Sequence, residues 1–88
     1  YKMNLQLIEG VFDRNDSIEL ISKMIQTKIK YHENKIEKSY NEEDIKNRES
    51  KIKFLQNELF NLRKMILQKD GNTRIDGVIN IYSKCELE

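Results

Sequence analysis

With 88 residues, 38% of them hydrophobic and 35% charged, the chain has the length of one small domain and too little apolar content for a membrane-embedded one. Sixteen Lys+Arg stand against fifteen Asp+Glu with the signs mixed along the chain, so the one-signed patch of a typical nucleic-acid binder is missing. No apolar run approaches the ~20 residues that span a bilayer, no signal-peptide pattern opens the sequence, and Cys85 has no second cysteine to pair with; a cytoplasmic location without membrane contact is expected.

The first element is a strand over about residues 3–12. Met3, Leu5 and Leu7 point one way while Asn4 and Gln6 point the other, the period of a half-buried strand, and Gly10 is expected to interrupt it. Asp13-Arg14-Asn15-Asp16-Ser17 then supplies helix N-cap types. Asp16 with Glu19 has capping-box spacing, and Asp13 is an equally good cap one turn earlier.

A helix is predicted over about 14–39, where Ile18, Ile21, Ile25, Ile29, His32, Ile36 and Tyr40 recur at helical spacing. Ser39 to Asp44 is the most polar stretch and the expected turn. A second helix follows over about 42–70. Ile45, Ile52, Leu55, Leu59, Leu62 and Ile66 form a coiled-coil-like heptad seam, with Arg48 in the missing step. Proline is absent and no glycine falls between Val11 and Asp70, so nothing interrupts either helix. Lys69 and Gly71 suit a helix end, as a cation in the last turn and a left-handed cap. Ile75, Gly77, Ile79, Ile81, Ser83 and Cys85 then alternate with more polar neighbours, a strand over about 74–85.

The order is β-α-α-β, an α+β domain spanning residues 1–88 in which a long antiparallel helical hairpin is flanked by two strands. If the helices fold back on each other, the strands run antiparallel and can pair. Helices of this length reach ~39 Å and the strands only ~25–30 Å, so the hairpin tip projects beyond the sheet.

Phe54, Phe60, Met65 and Leu67 lie off the heptad seam and represent apolar surface beyond what one seam needs. Some are expected to cover the sheet. A two-stranded sheet is marginal alone and has two free edges, and a chain this short buries only roughly 60–65% of its unfolded surface. A homodimer is therefore predicted, through sheet edges or by hairpins packing into a four-helix arrangement, with these four residues in the interface. A monomer whose extra apolar residues close over the strands is the alternative.

One cluster on the first helix could hold a ligand. Lys28, His32 and Lys35 share one face, continuing the line of Ile18, Ile21 and Ile25, so that the seam turns from apolar to basic toward the tip. A turn near residue 41 places Arg48, Glu49 and Ile52 opposite. An anion or ligand site follows, with a histidine able to change charge near neutral pH. The plainer reading is that Glu49 with Glu42 or Glu43 neutralises the lysines and His32 is a seam residue.

Other chemistries find little support. One His and one Cys, far apart, cannot furnish a zinc or iron centre, and Glu42-Glu43-Asp44 lacks the spaced ligand loop of a calcium site. No Gly-rich phosphate loop is present, and no catalytic residue, metal or cofactor is expected. Lys46, Arg48, Lys51, Lys53, Arg63 and Lys64 do crowd the second helix, but Glu42, Glu43, Glu49 and Glu58 interleave with them as on a solvated face. Tyr31 and Tyr40 could stack on bases or pack in the hairpin.

Leu7-Ile8-Glu9-Gly10-Val11-Phe12, followed by Ile25-x-x-Lys28-Ile29-x-Tyr31-His32-x-x-Lys35, resembles a family of short uncharacterised bacterial proteins. Its members open with a Leu-Ile-Glu-Gly segment, enter a helix through a cap and carry Lys-Ile-x-aromatic-His-x-x-Lys there, before a second charged helix. The resemblance covers roughly residues 5–67. It departs at the turn, where Ser39-Tyr40-Asn41-Glu42 stands in place of an Arg and a Gly. It implies the same fold and a bacterial cytosolic origin, gives Lys28, His32 and Lys35 some weight, and carries no established activity. The expected function is a non-catalytic protein-interaction domain that self-associates and presents its hairpin to a protein partner. The alternative is a small nucleic-acid-binding or regulatory protein using the basic residues of the second helix.

Overall fold

The computed structural model describes residues 2–83. Strand β1 (Lys2–Phe12), helix α1 (Arg14–Glu37), helix α2 (Glu42–Gln68) and strand β2 (Thr73–Tyr82) follow in β-α-α-β order. The two strands pair antiparallel into one sheet, and the two helices pack along each other as the predicted hairpin. Cys85, placed in the second strand by its alternation, lies outside the described residues.

Local chemistry sets each boundary. Asp13, the earlier of the two possible caps, is the one used: its carboxylate accepts from the Asp16 amide at 2.7 Å. Ser17, fully buried at this junction, donates its hydroxyl to the Asp13 carbonyl at 2.7 Å. At the tip, α1 stops at Glu37, and Asn41 caps α2 by accepting from the Glu43 and Asp44 amides at 2.9 and 3.2 Å. Tyr40 therefore sits fully exposed in the turn and is not part of the seam its spacing suggested.

The far end of α2 also differs from expectation. Gly71 takes a positive φ of 90°, but in the turn into β2, beyond the extended C-cap residue Lys69. The cation that meets the last carbonyls comes from α1: Arg14 donates to the Lys69 carbonyl at 2.6 Å and lies 3.8 Å from the Asp70 carboxylate. Arg14 thus ties together the open end of the hairpin.

β1 runs on through Gly10, which pairs with Ile75. The irregularity lies earlier, a bulge between Gln6 and Ile8 that takes Leu7 out of the pairing. Ile8, not Leu7, therefore continues the face of Met3 and Leu5. The cross-strand pairs on that face are Met3–Ile81, Leu5–Ile79, Ile8–Gly77, Gly10–Ile75 and Phe12–Thr73. The opposite face pairs Lys2–Tyr82, Asn4–Asn80, Gln6–Val78, Glu9–Asp76 and Val11–Arg74. One face is apolar and the other mixed. Gly77 is required where it stands, because a Cβ there would fall 2.9 Å from Cγ2 of Ile8.

The molecule is thin, 47 × 32 × 14 Å, scarcely more than the depth of one helix with its side chains, ~10–12 Å. Its buried interior is correspondingly small. Ile66 (3% exposed) is the one fully buried large apolar side chain among the described residues, joined by Ser17, Ser22 and His32. The seam residues Ile18, Ile21, Ile25, Ile29, Ile36, Ile45, Ile52, Leu55, Leu59 and Leu62 are half-buried. Leu5, Ile79, Met3 and Ile81 on the apolar sheet face remain substantially exposed. Phe54, Phe60, Met65 and Leu67 do not cover the sheet as some were expected to. All four are exposed, since α2 packs on α1 while the main helix–sheet contact is made by α1 with β2.

Candidate functional site

Two features stand out from the scaffold: a basic cleft between the helices and a broad apolar surface at the sheet end. The cleft, about 320 Å³, is lined by Lys28, Tyr31 and His32 of α1 and by Asp44, Asn47, Arg48 and Lys51 of α2. His32 is 3% exposed. Arg48 reaches it across the hairpin, with Nη1 3.1 Å from Nδ1 of the imidazole. A guanidinium only donates, so Nδ1 accepts and the ring is neutral with its proton on Nε2. Nε2 is buried and has no hydrogen-bond partner among the described residues. Burial, and then the charges of Lys28, Arg48 and Lys51, push the imidazole below its ordinary pKa.

Tyr31 organises the rest. Its ring meets His32 edge-on at 5.5 Å. Lys28 Nζ lies 5.2 Å, Lys35 Nζ 5.7 Å and the Arg48 guanidinium 5.8 Å from its centroid, all within cation–π range. Lys28 and Lys35 are one turn before and one turn after Tyr31 on the same helix, which is why both reach it. The predicted trio is thus brought together, Lys28 and His32 in the cleft wall and Lys35 at the same ring.

The neutralisation expected from glutamates takes a different form. Asp44 pairs with Arg48 at 3.2 Å, whereas among the described residues no ion pair joins Glu42, Glu43 or Glu49 to Lys28 or Lys35. Lys51 likewise has no ion-pair partner there. The cleft gathers four cations, Lys28, Lys35, Arg48 and Lys51, about one carboxylate. Tyr31 was legible as the residue flanked by lysines at helical spacing. Lys51, Asp44 and Asn47 could be added only once the hairpin register was known. Among the described residues the lining of the cleft is basic, aromatic, amide and carboxylate in kind.

The remaining basic residues of α2 go elsewhere. At about 100° per residue, Lys46, Lys53 and Lys64 project from the side of the helix away from Lys51, and all are exposed. Helix 2 therefore does not present its cations as one patch.

The four apolar residues singled out on α2 divide in the same way. Phe54 and Met65 share one side of the seam, and Phe60 and Leu67 share the other. Met65 borders an apolar groove of about 250 Å³, together with Ile21, Leu62, Ile66, Thr73 and Ile75. Through Ile75 this groove adjoins the apolar sheet face bearing Ile79 and Ile81.

Neither a family model, nor a curated protein, nor a solved structure matches the chain.

Proposed function

We propose that this chain is a non-catalytic protein-interaction domain whose working form is a homodimer, the second copy covering the apolar sheet face. The observation that carries this reading is an excess of surface. The chain exposes 7443 Å², whereas a folded monomer of 10.6 kDa is expected to expose about 5,500 Å². Its radius of gyration, 15.9 Å, exceeds the ~12 Å of a compact chain of this length.

The difference, roughly 2,000 Å² per chain, is what an obligate dimer buries on each partner, and it exceeds the ~800 Å² of a standard interface. The residues offered to a second copy are apolar: Met3, Leu5, Ile79 and Ile81 on one face of the sheet, Met65 at the groove beside Ile75, and Phe54 farther along the same side of α2. A two-fold axis lets one patch serve both copies. The polar hairpin tip stays free for a further partner. The bacterial, cytoplasmic setting suggested by the Leu7–Phe12 resemblance belongs to the same proposal.

Light scattering across a concentration series tests it. A mass of two chains that falls to one on Ile79→Lys, with Tm rising with protein concentration in the parent, is the expected result. A single-chain mass at every concentration, with a concentration-independent Tm, overturns it.

A further inference from the structure

We propose that the basic cleft between α1 and α2 binds a phosphoryl group, taken from inorganic phosphate or from a small phosphomonoester. Four observations point there independently of the dimer. Lys28, Lys35, Arg48 and Lys51 gather about the cleft with Asp44 as its single carboxylate. Asp44 is already engaged by Arg48, which leaves the lysines without ion-pair partners among the described residues.

Like charges held this close repel, and a compact dianion between them relieves the repulsion and accepts charge-assisted hydrogen bonds from both helices. His32 in the wall of the cleft has a buried imidazole nitrogen, Nε2, that no group among the described residues satisfies. Finally, the volume, about 320 Å³, lies at the lower end of small-molecule sites, ~300–1,000 Å³. It accommodates a phosphate together with a short organic substituent.

The geometry also says what each residue would do. Lys28 and Lys51 line the cleft from the two helices, neither in an ion pair among the described residues, and are the pair best placed to clamp the anion. Arg48 has one edge of its guanidinium on Asp44 and Nη1 on His32, so it holds the cleft in shape while adding charge. Tyr31 keeps Lys28, Lys35 and Arg48 together through its ring. Such a ligand would also hold the hairpin closed, because its contacts come from both helices.

The chain has a single histidine, so its imidazole resonances assign themselves and report directly on the cleft. The experiment titrates the full chain with sodium phosphate at neutral pH, against sodium chloride at matched ionic strength. It is repeated with glycerol phosphate and with the double variant Lys28→Gln/Lys51→Gln. Both lysines are exposed, so the variant retains the fold.

Saturable shifts of the His32 signals with either phosphate compound, absent with chloride and about tenfold weaker in affinity in the variant, support the proposal. The tighter of the two compounds then names the source. Shifts that match those in chloride, or an affinity unchanged in the variant, overturn it. So does a short oligonucleotide that moves the His32 signals when neither phosphate compound does. None of these readouts depends on the oligomeric state.

Discussion

Arg48 of α2 donates to Nδ1 of His32 on α1 at 3.1 Å, so the one histidine of the chain is held neutral between the helices by a cation. Burial and the surrounding charges depress its pKa, while in the unfolded chain the imidazole titrates near 6.5. The unfolded state therefore binds the extra proton first. Stability is full above that pH and declines as the solution is acidified toward the native pKa. The groups facing the ring are Lys28 and Tyr31 of α1 and Asp44, Asn47, Arg48 and Lys51 of α2. Melts in non-phosphate buffers should show Tm falling from neutral toward mildly acidic pH, with a shallower fall in His32→Gln. Equal slopes in the two proteins would remove His32 from this account.

Asn41 satisfies two of the four unpaired amides at the start of α2. Asn41→Ala is expected to cost about 1 kcal/mol of stability, and Asn41→Asp to cost much less, because an aspartate caps equally well. Urea denaturation of the three proteins checks this. An alanine variant as stable as the parent would mean that the turn is held by other groups.

At Gly77 the sheet leaves no space for a methyl group, with Ile8 Cγ2 2.9 Å from the position a Cβ would take. Gly77→Ala should destabilise by about 1–3 kcal/mol, as overpacked sites do. Ile8→Leu removes the branching methyl that makes the clash. In a double-mutant cycle, Gly77→Ala in the Ile8→Leu background should therefore lose clearly less. Strict additivity of the two substitutions would show that the pair is not in contact.

The split of apolar residues across α2 gives a directional test of self-association. Phe54→Gln/Met65→Gln removes apolar area on the side bordering the groove that leads to Ile75, while Phe60→Gln/Leu67→Gln removes a similar area on the other side. The first pair should weaken the dimer by at least ~2 kcal/mol, read as a rise in its dissociation constant by sedimentation. The second should leave it nearly unchanged. The reverse order would place the second copy on the opposite face of the molecule.

Much of the architecture could be read from residue spacing, and the places where it could not share a cause. The period-3.6 runs ending in Ile36 and Ile66 set the helices, because a long amphipathic repeat without Pro or Gly has few other outcomes. The alternation through Ile75, Ile79 and Ile81 likewise sets the apolar face of β2. Spacing alone sets Leu7 with Met3 and Leu5, and the bulge that removes it is a property of the pair: it exists only in relation to Gly77 on a strand some seventy positions away. Tyr40 continues a numerical pattern past Glu37, where α1 stops, and stands beside Asn41, which already caps α2.

The cleft was half legible for the same reason. Lys28, His32 and Lys35 lie on one helix and show their spacing. A turn near residue 41 already sets Arg48 opposite them, while Asp44, Asn47 and Lys51 join through the exact register of the hairpin, which depends on where the turn falls. Spacing points to Glu49 with Glu42 or Glu43 as the carboxylates facing the lysines, whereas the carboxylate in the cleft is Asp44, and it pairs with Arg48.

The strands that build the sheet are the two ends of the described chain, Lys2 opposite Tyr82 and Phe12 opposite Thr73. Their pairing closes the longest loop the molecule contains, and its entropy is recovered only after the helices have brought the ends near each other. Folding is therefore expected to be sequential, with the local hairpin forming first and the sheet last. Any surface made of sheet residues comes into being at that final step. On the dimer reading proposed above, the face that meets a second copy would be complete only once β2 had docked on β1.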